Sequence, residues 1–420
     1  MESNNLKKDP YVALKFPEFR SFLVMRFFLT IGYQIQGVVL GWYIYNLTKD
    51  PLSLGLIGLC EAVPAIGIAL YGGYIADKSN KKTLLNRVVG VILFASIVLY
   101  IVTLPAVTVY LGQSLLITTI YIMVFVIGMA RGFYAPTSFS IMAMIIPREH
   151  YPNSSTWNSS AWQTASIVGP ALGGLLYGFA GINHTFIFVL ICISISFIGT
   201  FFFKSRPSTF VKTGSIYKSL SEGLKFVFKT KILVGALSLD LFSVFFGGAV
   251  ALIPVVATEV LHVGATEFGM LRAAPAVGAV LTMLLMTRFS PMGKPWRNLL
   301  FAVTGFGVSI ICYGLSTNFY LTLFFLFLEG AFDSISVIIR STILQLVTPD
   351  EMRGRVSAVN SMFIGSSNEI GQFESGLTAK LMRTVPAIVF GGSMTLFVAA
   401  VTWYKTKKLV PMSLEDISNS

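Results

Sequence analysis

The chain has 420 residues, of which 54% are hydrophobic and only 12% are charged, and its mean hydropathy is +0.74. A composition this apolar excludes the polar surface of an ordinary soluble protein, so the chain is interpreted as an integral membrane protein. The net charge of +12 would suit nucleic-acid binding, but the sequence offers no soluble basic face to hold phosphates.

Twelve long apolar stretches follow one another along the chain. A helix needs about 20 apolar residues to cross a hydrocarbon core roughly 30 Å thick. The sequence therefore predicts an all-α polytopic membrane protein with twelve transmembrane helices. The predicted spans are 22–45, 54–75, 84–107, 115–145, 155–178, 184–203, 232–256, 266–287, 296–316, 320–347, 356–381 and 385–404.

The basic residues are distributed unevenly between the connections. Of the 31 lysines and arginines, 24 lie in the two terminal tails or in every second connection between spans. Only Lys49, Lys380 and Arg383 lie in the other connections. Because loops rich in lysine and arginine stay on the cytoplasmic side, both termini are predicted to be cytoplasmic.

The two halves of the chain resemble each other. At an offset of 202 residues, Gly128 matches Gly330, and at an offset of 211 residues, Pro64 matches Pro275. Repeated halves of this kind place a binding site at their interface. The sequence predicts two pseudo-symmetric six-helix bundles, with the following boundaries: a tail at 1–18, the halves at 19–203 and 232–404, a cytoplasmic linker at 204–231 and a tail at 405–420.

The linker contains a predicted amphipathic helix. Leu224 and Val227 lie on its apolar face, and Glu222, Lys225 and Lys229 lie on the other. This pattern is typical of a helix at the membrane surface. The alternative is a solvated linker whose periodicity arises by chance.

Ten ionisable residues fall inside the predicted spans, away from the first and last four residues of each span. Each costs at least about 2.5 kcal/mol at the centre of a bilayer, so such residues are expected to face a bundle interior or a wet pathway. The candidates for proton coupling are Asp333, Glu329, Glu369, Asp240 and Glu61. In the repeat, Arg131 is equivalent to Asp333, and Glu61 is equivalent to Arg272. Because opposite charges stand at these equivalent positions, some are expected to pair across the halves.

Polar and aromatic residues on the same helix faces are candidates for contact with a substrate. They are Arg26, Tyr33, Gln34, Arg131, Tyr134, Trp162 and Arg340. Arg26 and Arg340 have an alternative role, because both are near enough to the cytoplasmic face to snorkel into the headgroups.

The sequence shows no pattern that indicates an enzyme. All three cysteines lie in apolar spans, and the three histidines lie near loops and far apart in sequence. This distribution provides neither a zinc-binding spacing nor a nucleophile with its base. We expect no metal, no cofactor and no catalytic residues.

The connection after the second span carries a recognisable motif. Its sequence is Gly73-Tyr-Ile-Ala-Asp77-Lys78-Ser-Asn80-Lys81-Lys82, which resembles the signature loop of the major facilitator superfamily, G-x-L-A-D-R-x-G-R-K. The resemblance implies a cytoplasmic latch between the halves, with Arg353 or Arg355 as the partner of Asp77. A charged hydrogen bond between carboxylate and guanidinium suits that role.

The fifth span carries a second motif. Ala165-x-x-x-Gly169-Pro170-x-x-Gly173-Gly174 resembles the motif G-x-x-x-G-P-x-x-G-G of drug:proton antiporters. The alternative is ordinary close helix packing, which uses the same small residues. Arg131 matches an arginine of that group in span four, but Tyr134 and Ala135 depart from its pattern.

The resemblance to the superfamily covers essentially the whole chain, and Pro349-Asp-Glu351-Met-Arg353-Gly-Arg355 is most similar to its macrolide-efflux and enterobactin-exporter branch. This implies proton-driven export of a bulky amphipathic small molecule from a bacterium, across its plasma (inner) membrane, with protons and lipid as the other partners. No nucleic acid or obligate protein partner is expected. Proton symport and lipid transport are alternatives within the fold, and a membrane enzyme or a sensor is the alternative outside it.

Overall fold

The computed structural model describes residues 11–204, 216–349 and 352–418, and all regular structure within these ranges is helical. The α-helices are α1 (Pro17–Thr48), α2 (Pro51–Lys78), α3 (Lys81–Thr103), α4 (Pro105–Ile145), α5 (Tyr151–Gly199), α6 (Ile216–Lys229), α7 (Lys231–Gly247), α8 (Ile253–Val255), α9 (Ala265–Arg288), α10 (Pro295–Leu315), α11 (Phe319–Val347), α12 (Arg353–Met382), α13 (Thr384–Lys405) and α14 (Leu414–Ser418). A 3-10 turn, Gly248–Leu252, and a π turn, Val256–Val260, flank α8 and continue the rod begun by α7.

Proline and polar caps set where several helices begin. Pro17, Pro51, Pro105 and Pro295 each occupy the first residue of a helix, where the missing N–H would have had no partner and the fixed φ already suits the helix. Asp50 caps α2, because its carboxylate accepts a hydrogen bond from the Leu52 N–H at 3.0 Å. These local signals explain where these helices begin.

The structure differs from the predicted spans at two glycines. Predicted spans five and six belong to the single run α5, which reverses at Gly181, where φ is 73°. Helix α4 begins at Pro105, ten residues before the predicted start of span four, and its backbone breaks at Gly112, where φ is 69°. Both angles lie in the left-handed region that only glycine adopts readily.

Ten helical segments among the described residues are long and apolar enough to cross a membrane. One of them, Asn153–Phe202, has 50 residues, and at 1.5 Å per residue it is long enough to cross twice. Helix α12, which carries Glu369 and Glu374, is not among the ten but has 30 residues. These lengths agree with twelve spans. The count, the cytoplasmic termini and the domain boundaries remain predictions.

The helix crossings repeat between the halves. A methyl group placed on Gly128 in α4 would lie 2.8 Å from Pro64 in α2, and one placed on Gly330 in α11 would lie 2.6 Å from Pro275 in α9. Gly128 and Gly330, like Pro64 and Pro275, are the residues that the duplication equates. Equivalent helices therefore cross at equivalent residues in the two bundles.

The halves meet closely at one end of the bundle, along α2 with α12 and α5 with α9. A methyl group on Gly376 in α12 would lie 2.9 Å from the Gly55 nitrogen in α2, and one on Gly178 in α5 would lie 2.8 Å from Thr266 in α9. Glycine allows these backbones to touch. We call this end, which holds the Lys49–Pro51 connection, the closed end.

We interpret the opposite end, which carries most of the lysines, as the open end of the bundle. Val63, Tyr71 and Tyr74 make one side of α2 that is exposed towards this end. Four exposed hydroxyl residues also form a stripe at helical spacing on α5: Thr156, Ser159, Ser160 and Thr164. Because polar groups in a membrane protein face protein or water rather than lipid, we interpret the stripe as the wall of an aqueous opening.

The predicted amphipathic helix is present as α6, Ile216–Lys229. Val227 on its apolar face is only 2% exposed and belongs to a hydrophobic cluster with α7 and α12 residues. Phe228, the next residue, is 64% exposed. The helix is thus real, and its contact with the membrane surface stays a prediction.

Candidate functional site

An ionic network joins four helices near the middle of the bundle. Arg131 of α4 forms ion pairs with Glu61 of α2 and with Glu369 of α12, the latter at 2.5 Å between Nη1 and Oε1. Glu61 belongs to the N-terminal half and Glu369 to the C-terminal half. Arg131 and Glu369 thus make a pair of opposite charges across the halves, the kind of contact that the sequence predicts.

Tyr33 of α1 completes this network. Its hydroxyl accepts a hydrogen bond from Arg131 Nη1 at 2.7 Å and donates one to Glu61 Oε1. Its ring lies under the Arg131 guanidinium, with 4.5 Å between the guanidinium carbon and the ring centroid. A guanidinium over an aromatic face is attracted to it. Tyr33 therefore orients Arg131 towards both carboxylates.

The network lies where the closed seam between α2 and α12 begins. A methyl group on Gly58 of α2 would lie 2.8 Å from the Glu369 carbonyl oxygen, so the two backbones nearly touch at this level. From here the seam continues towards the closed end, and the open side of α2 lies in the other direction. Glu369 is thus placed to respond when the seam separates.

Two further polar contacts hold the closed end across the halves. Lys380 Nζ forms an ion pair with Asp50 Oδ2 at 2.6 Å, and the Tyr45 hydroxyl donates a hydrogen bond to Glu259 Oε1. Sequence reasoning missed both contacts. All four residues lie at helix ends or connections, where the sequence contains no periodic signal to pair them.

A second ion pair is internal to the C-terminal half. Arg340 of α11 pairs with Asp240 of α7, and both side chains are almost fully buried, with 10% and 6% of their surface exposed. Arg340 Nε also donates to the Ser336 carbonyl at 3.3 Å. Arg340, which was predicted as a substrate or snorkelling residue, is therefore engaged by Asp240 inside the bundle.

Glu329 of α11 lies near Arg272 of α9. Glu329 is buried, and its charge interacts with those of Asp333 and Arg272. Arg272 Nη1 donates to the Val250 carbonyl at 3.1 Å. The C-terminal half thus has Arg272 on α9 near Glu329 on α11, whereas the N-terminal half has Glu61 on α2 paired with Arg131 on α4.

The remaining candidates for substrate contact lie in the N-terminal half. Arg26 Nε and the Tyr134 hydroxyl are buried and have no hydrogen-bond partner among the described residues. Trp162 is partly exposed, on the helix that carries the hydroxyl stripe. Gln34 instead supports packing, because its Nε2 donates to the Ser166 carbonyl of α5 at 3.4 Å.

The second motif lies on the faces of α5 that pack against other helices. Ala165 is fully buried, and methyl groups on Gly169 and Gly173 would lie 2.6 Å from Gln34 and 3.0 Å from Ile35, both in α1. Gly174 faces α9 instead, where a methyl group would lie 3.0 Å from the Gly269 backbone. Pro170 is inside the helix. The motif thus makes close contacts with both α1 and the other half.

The predicted latch is described only in part. Gly73 is buried, Lys78 Nζ donates to the Tyr74 hydroxyl, and Lys82 Nζ donates to the Phe201 carbonyl at 2.9 Å. Lys81 lines a small surface cavity together with Lys82. The side chains of Asp77, Arg353 and Arg355 lie outside the described residues, so the latch itself stays a prediction.

Comparisons with known proteins agree with this architecture. The sequence profile of the family MFS_3, described as transmembrane secretion effector, matches residues 8–420. An uncharacterised MFS-type transporter of Bacillus subtilis (strain 168), YfmI, is 22% identical over 86% of this chain and 90% of its own length. The enterobactin exporter EntS of Shigella flexneri is 21% identical over 92% of this chain and 90% of its own length.

Solved structures show the same fold. A D-xylose-proton symporter superposes with a TM-score of 0.68 at 14% identity, covering 95% of this chain and 100% of that one. An inward-facing bacterial homologue of the human lysosomal transporter Spinster gives a TM-score of 0.66 at 14% identity, covering 95% and 97%. The chain therefore belongs to the transmembrane secretion effector family and is a multi-pass membrane transporter of the major facilitator superfamily.

Proposed function

We propose that this transporter is a proton-coupled exporter that moves a bulky amphipathic small molecule, such as a drug or a siderophore, out of the bacterial cytoplasm across the inner membrane. The observation that supports it best is the pairing of Arg131 with one carboxylate from each half. The strength of such an ion-pair network depends on the protonation state of the two carboxylates and on the relative position of the halves.

The charges of the network suggest how coupling operates. Glu61 and Arg131 lie in the same half, so they stay together when the halves rock. Glu369 moves with α12 and leaves Arg131 when the closed end opens. A carboxylate separated from its counter-charge in a low-dielectric site is costly, and protonation removes that charge.

The order of events then gives antiport. With the closed end open, Glu369 takes a proton from the outside. When the seam closes again, Arg131 attracts the carboxylate form and the proton leaves through the open, cytoplasmic end. The substrate loads from that same end and leaves on the next opening, so each inward proton drives outward transport.

The walls of the open end fit an amphipathic substrate. Hydroxyls on α5 and aromatic side chains on α2 are exposed, and the buried Arg26 Nε and Tyr134 hydroxyl are donors without a partner among the described residues. The relatives named enterobactin exporters support export of a molecule of this class. Asp333, Glu329 and Asp240 remain secondary proposals for proton coupling, because none of them links the two halves.

Reconstituted transport tests the proposal. A thermal-shift screen of dyes, antibiotics and siderophores against the purified chain identifies a ligand, and its transport is then followed in proteoliposomes with an imposed pH gradient. We expect the gradient to accelerate transport by the unmodified chain and to have little effect on Glu369→Gln. Glu374→Gln is the matched control, because it removes an acid from the same helix outside the network.

Two results would contradict the proposal. One is transport by the unmodified chain that ignores the gradient. The other is a response to the gradient that survives in Glu369→Gln, since the carboxylate that pairs with Arg131 across the halves would then not be needed for coupling.

A further inference from the structure

A small cavity lies inside the C-terminal half, away from the Arg131 network. Asp240 and Ser243 of α7 line it on one side, and Asp333 and Ser336 of α11 line it on another, while Val303 and Phe306 of α10 add an apolar wall. Its volume is about 10 Å³, close to the roughly 10–15 Å³ that one water molecule needs. The cavity therefore fits a single atom or ion without its hydration shell.

The charges around this cavity do not balance. Asp240 is paired with Arg340, and the charge of Glu329 is opposed by that of Arg272. Asp333 has no ion-pair partner among the described residues and lines the cavity beside Asp240. When Asp240, Asp333 and Glu329 are all ionised, one negative charge is left over, which a single positive charge would neutralise and a doubly charged ion would exceed.

A buried hydroxyl also lacks a partner there. Ser243 is only 4% exposed, and its Oγ has no hydrogen-bond partner among the described residues. A buried polar atom left unsatisfied costs about 1–3 kcal/mol, so a water molecule or an ion in the cavity would stabilise the Ser243 hydroxyl. This observation is independent of the charges, and it concerns the same cavity.

We propose that the cavity binds one monovalent cation, with sodium as the ion that fits best. Its ligands are the carboxylate oxygens of Asp240 and Asp333 and the hydroxyls of Ser243 and Ser336. Hard cations prefer such oxygen ligands over nitrogen or sulfur. Asp333 is partly exposed, which leaves the ion a route into the site. The bound ion holds α7 and α11 together. This role does not depend on the identity of the substrate or on whether protons drive transport.

Binding of radioactive sodium by the purified full chain in detergent, measured by equilibrium dialysis, tests the site. Thermal unfolding in sodium chloride and in choline chloride of equal ionic strength provides a second readout. We expect saturable binding and an unfolding temperature that rises with sodium alone. Ser243→Ala removes a hydroxyl that has no partner, so the chain should fold, and its sodium affinity should fall roughly tenfold or more.

Ser309→Ala is the matched control. Ser309 of α10 is as buried as Ser243, but its hydroxyl already donates to the Gly305 carbonyl at 2.8 Å and lies outside the cavity. The Ser309→Ala variant should bind sodium as the unmodified chain does. Asp333→Asn and Ser336→Ala should both weaken sodium binding. Absence of saturable binding, an equal effect of choline, or equal affinity in Ser243→Ala and Ser309→Ala would overturn the proposal and leave the cavity to a water molecule.

Discussion

Gly376 offers the sharpest test of how the halves are held together. It lies on α12 against α2, and a methyl group there would lie 2.9 Å from both the Gly55 nitrogen and the Pro51 oxygen. We therefore expect Gly376→Ala to push α2 and α12 apart and to shift the molecule towards the state in which the closed end is open.

The size of the shift follows from these contacts. Ordinary van der Waals contact begins near 3.4 Å, so the two backbones must separate by about 0.5 Å, and neither contacted atom belongs to a flexible side chain. Overpacking of this kind costs about 1–3 kcal/mol. The cost applies only while the seam is closed, so the ratio of open to closed molecules should rise by roughly 5- to 150-fold.

Spin labels on the surface of the closed end measure this ratio. Tyr110 of α4 and Leu381 of α12 are 90% and 75% exposed and lie on different halves, so cysteines at both positions can carry labels. The native cysteines Cys60, Cys192 and Cys312 are first replaced by alanine. Pulsed electron paramagnetic resonance in proteoliposomes should show a larger long-distance population in Gly376→Ala.

The control is Gly365→Ala on the same helix. A methyl group on Gly365 would meet nothing within 4 Å, so this variant gains the same helix propensity without a clash. Equal distance distributions for Gly365→Ala and Gly376→Ala would refute the claim that backbone contact at the seam keeps this end closed.

Three further substitutions are expected to affect stability or transport to different extents. Asp240→Asn should lower the free energy of unfolding by about 3–5 kcal/mol, because Arg340 stays buried without its partner. Denaturation in detergent measures the free energy of unfolding. The double variant Asp240→Leu with Arg340→Met should recover most of the stability that Asp240→Asn loses. If the double variant instead lost the sum of what the two single substitutions lose, the ion-pair explanation would be wrong. Lys380→Ala should change stability by less than about 1 kcal/mol, since its ion pair with Asp50 is exposed and screened by salt; a larger loss that persists in high salt would be inconsistent with that. Tyr33→Phe keeps the ring but loses hydrogen bonds to charged groups worth about 1.5–3 kcal/mol, so gradient-driven transport should fall about tenfold or more, and unchanged transport would show that the hydroxyl has no part in coupling.

Much of the architecture could be predicted because it is encoded locally or by repetition. Apolar length is a property of each segment, so the helices lie near the predicted spans. Gly181 shows the limit of prediction from apolar length, because hydropathy alone does not distinguish a reversal at one glycine from a longer connection. The crossings at Gly128 and Gly330 follow from the repeat.

The partners of the buried charges could not be predicted in the same way. The sequence shows which face of its own helix a residue occupies, but not which face of another helix lies opposite. Arg131 meets Glu369, 238 residues away, because α4 and α12 approach each other across the halves. Arg340 shares a helix face with Asp333 and Glu329, yet it pairs with Asp240, because α7 lies beside that stretch of α11.

The glycine contacts between α2 and α12 also bear on how the cell maintains its transmembrane proton gradient. Where two main chains touch, no lined channel remains in which a file of water molecules could conduct protons. The closed seam therefore opposes proton leakage, so a substrate can pass through the bundle without dissipating the membrane potential.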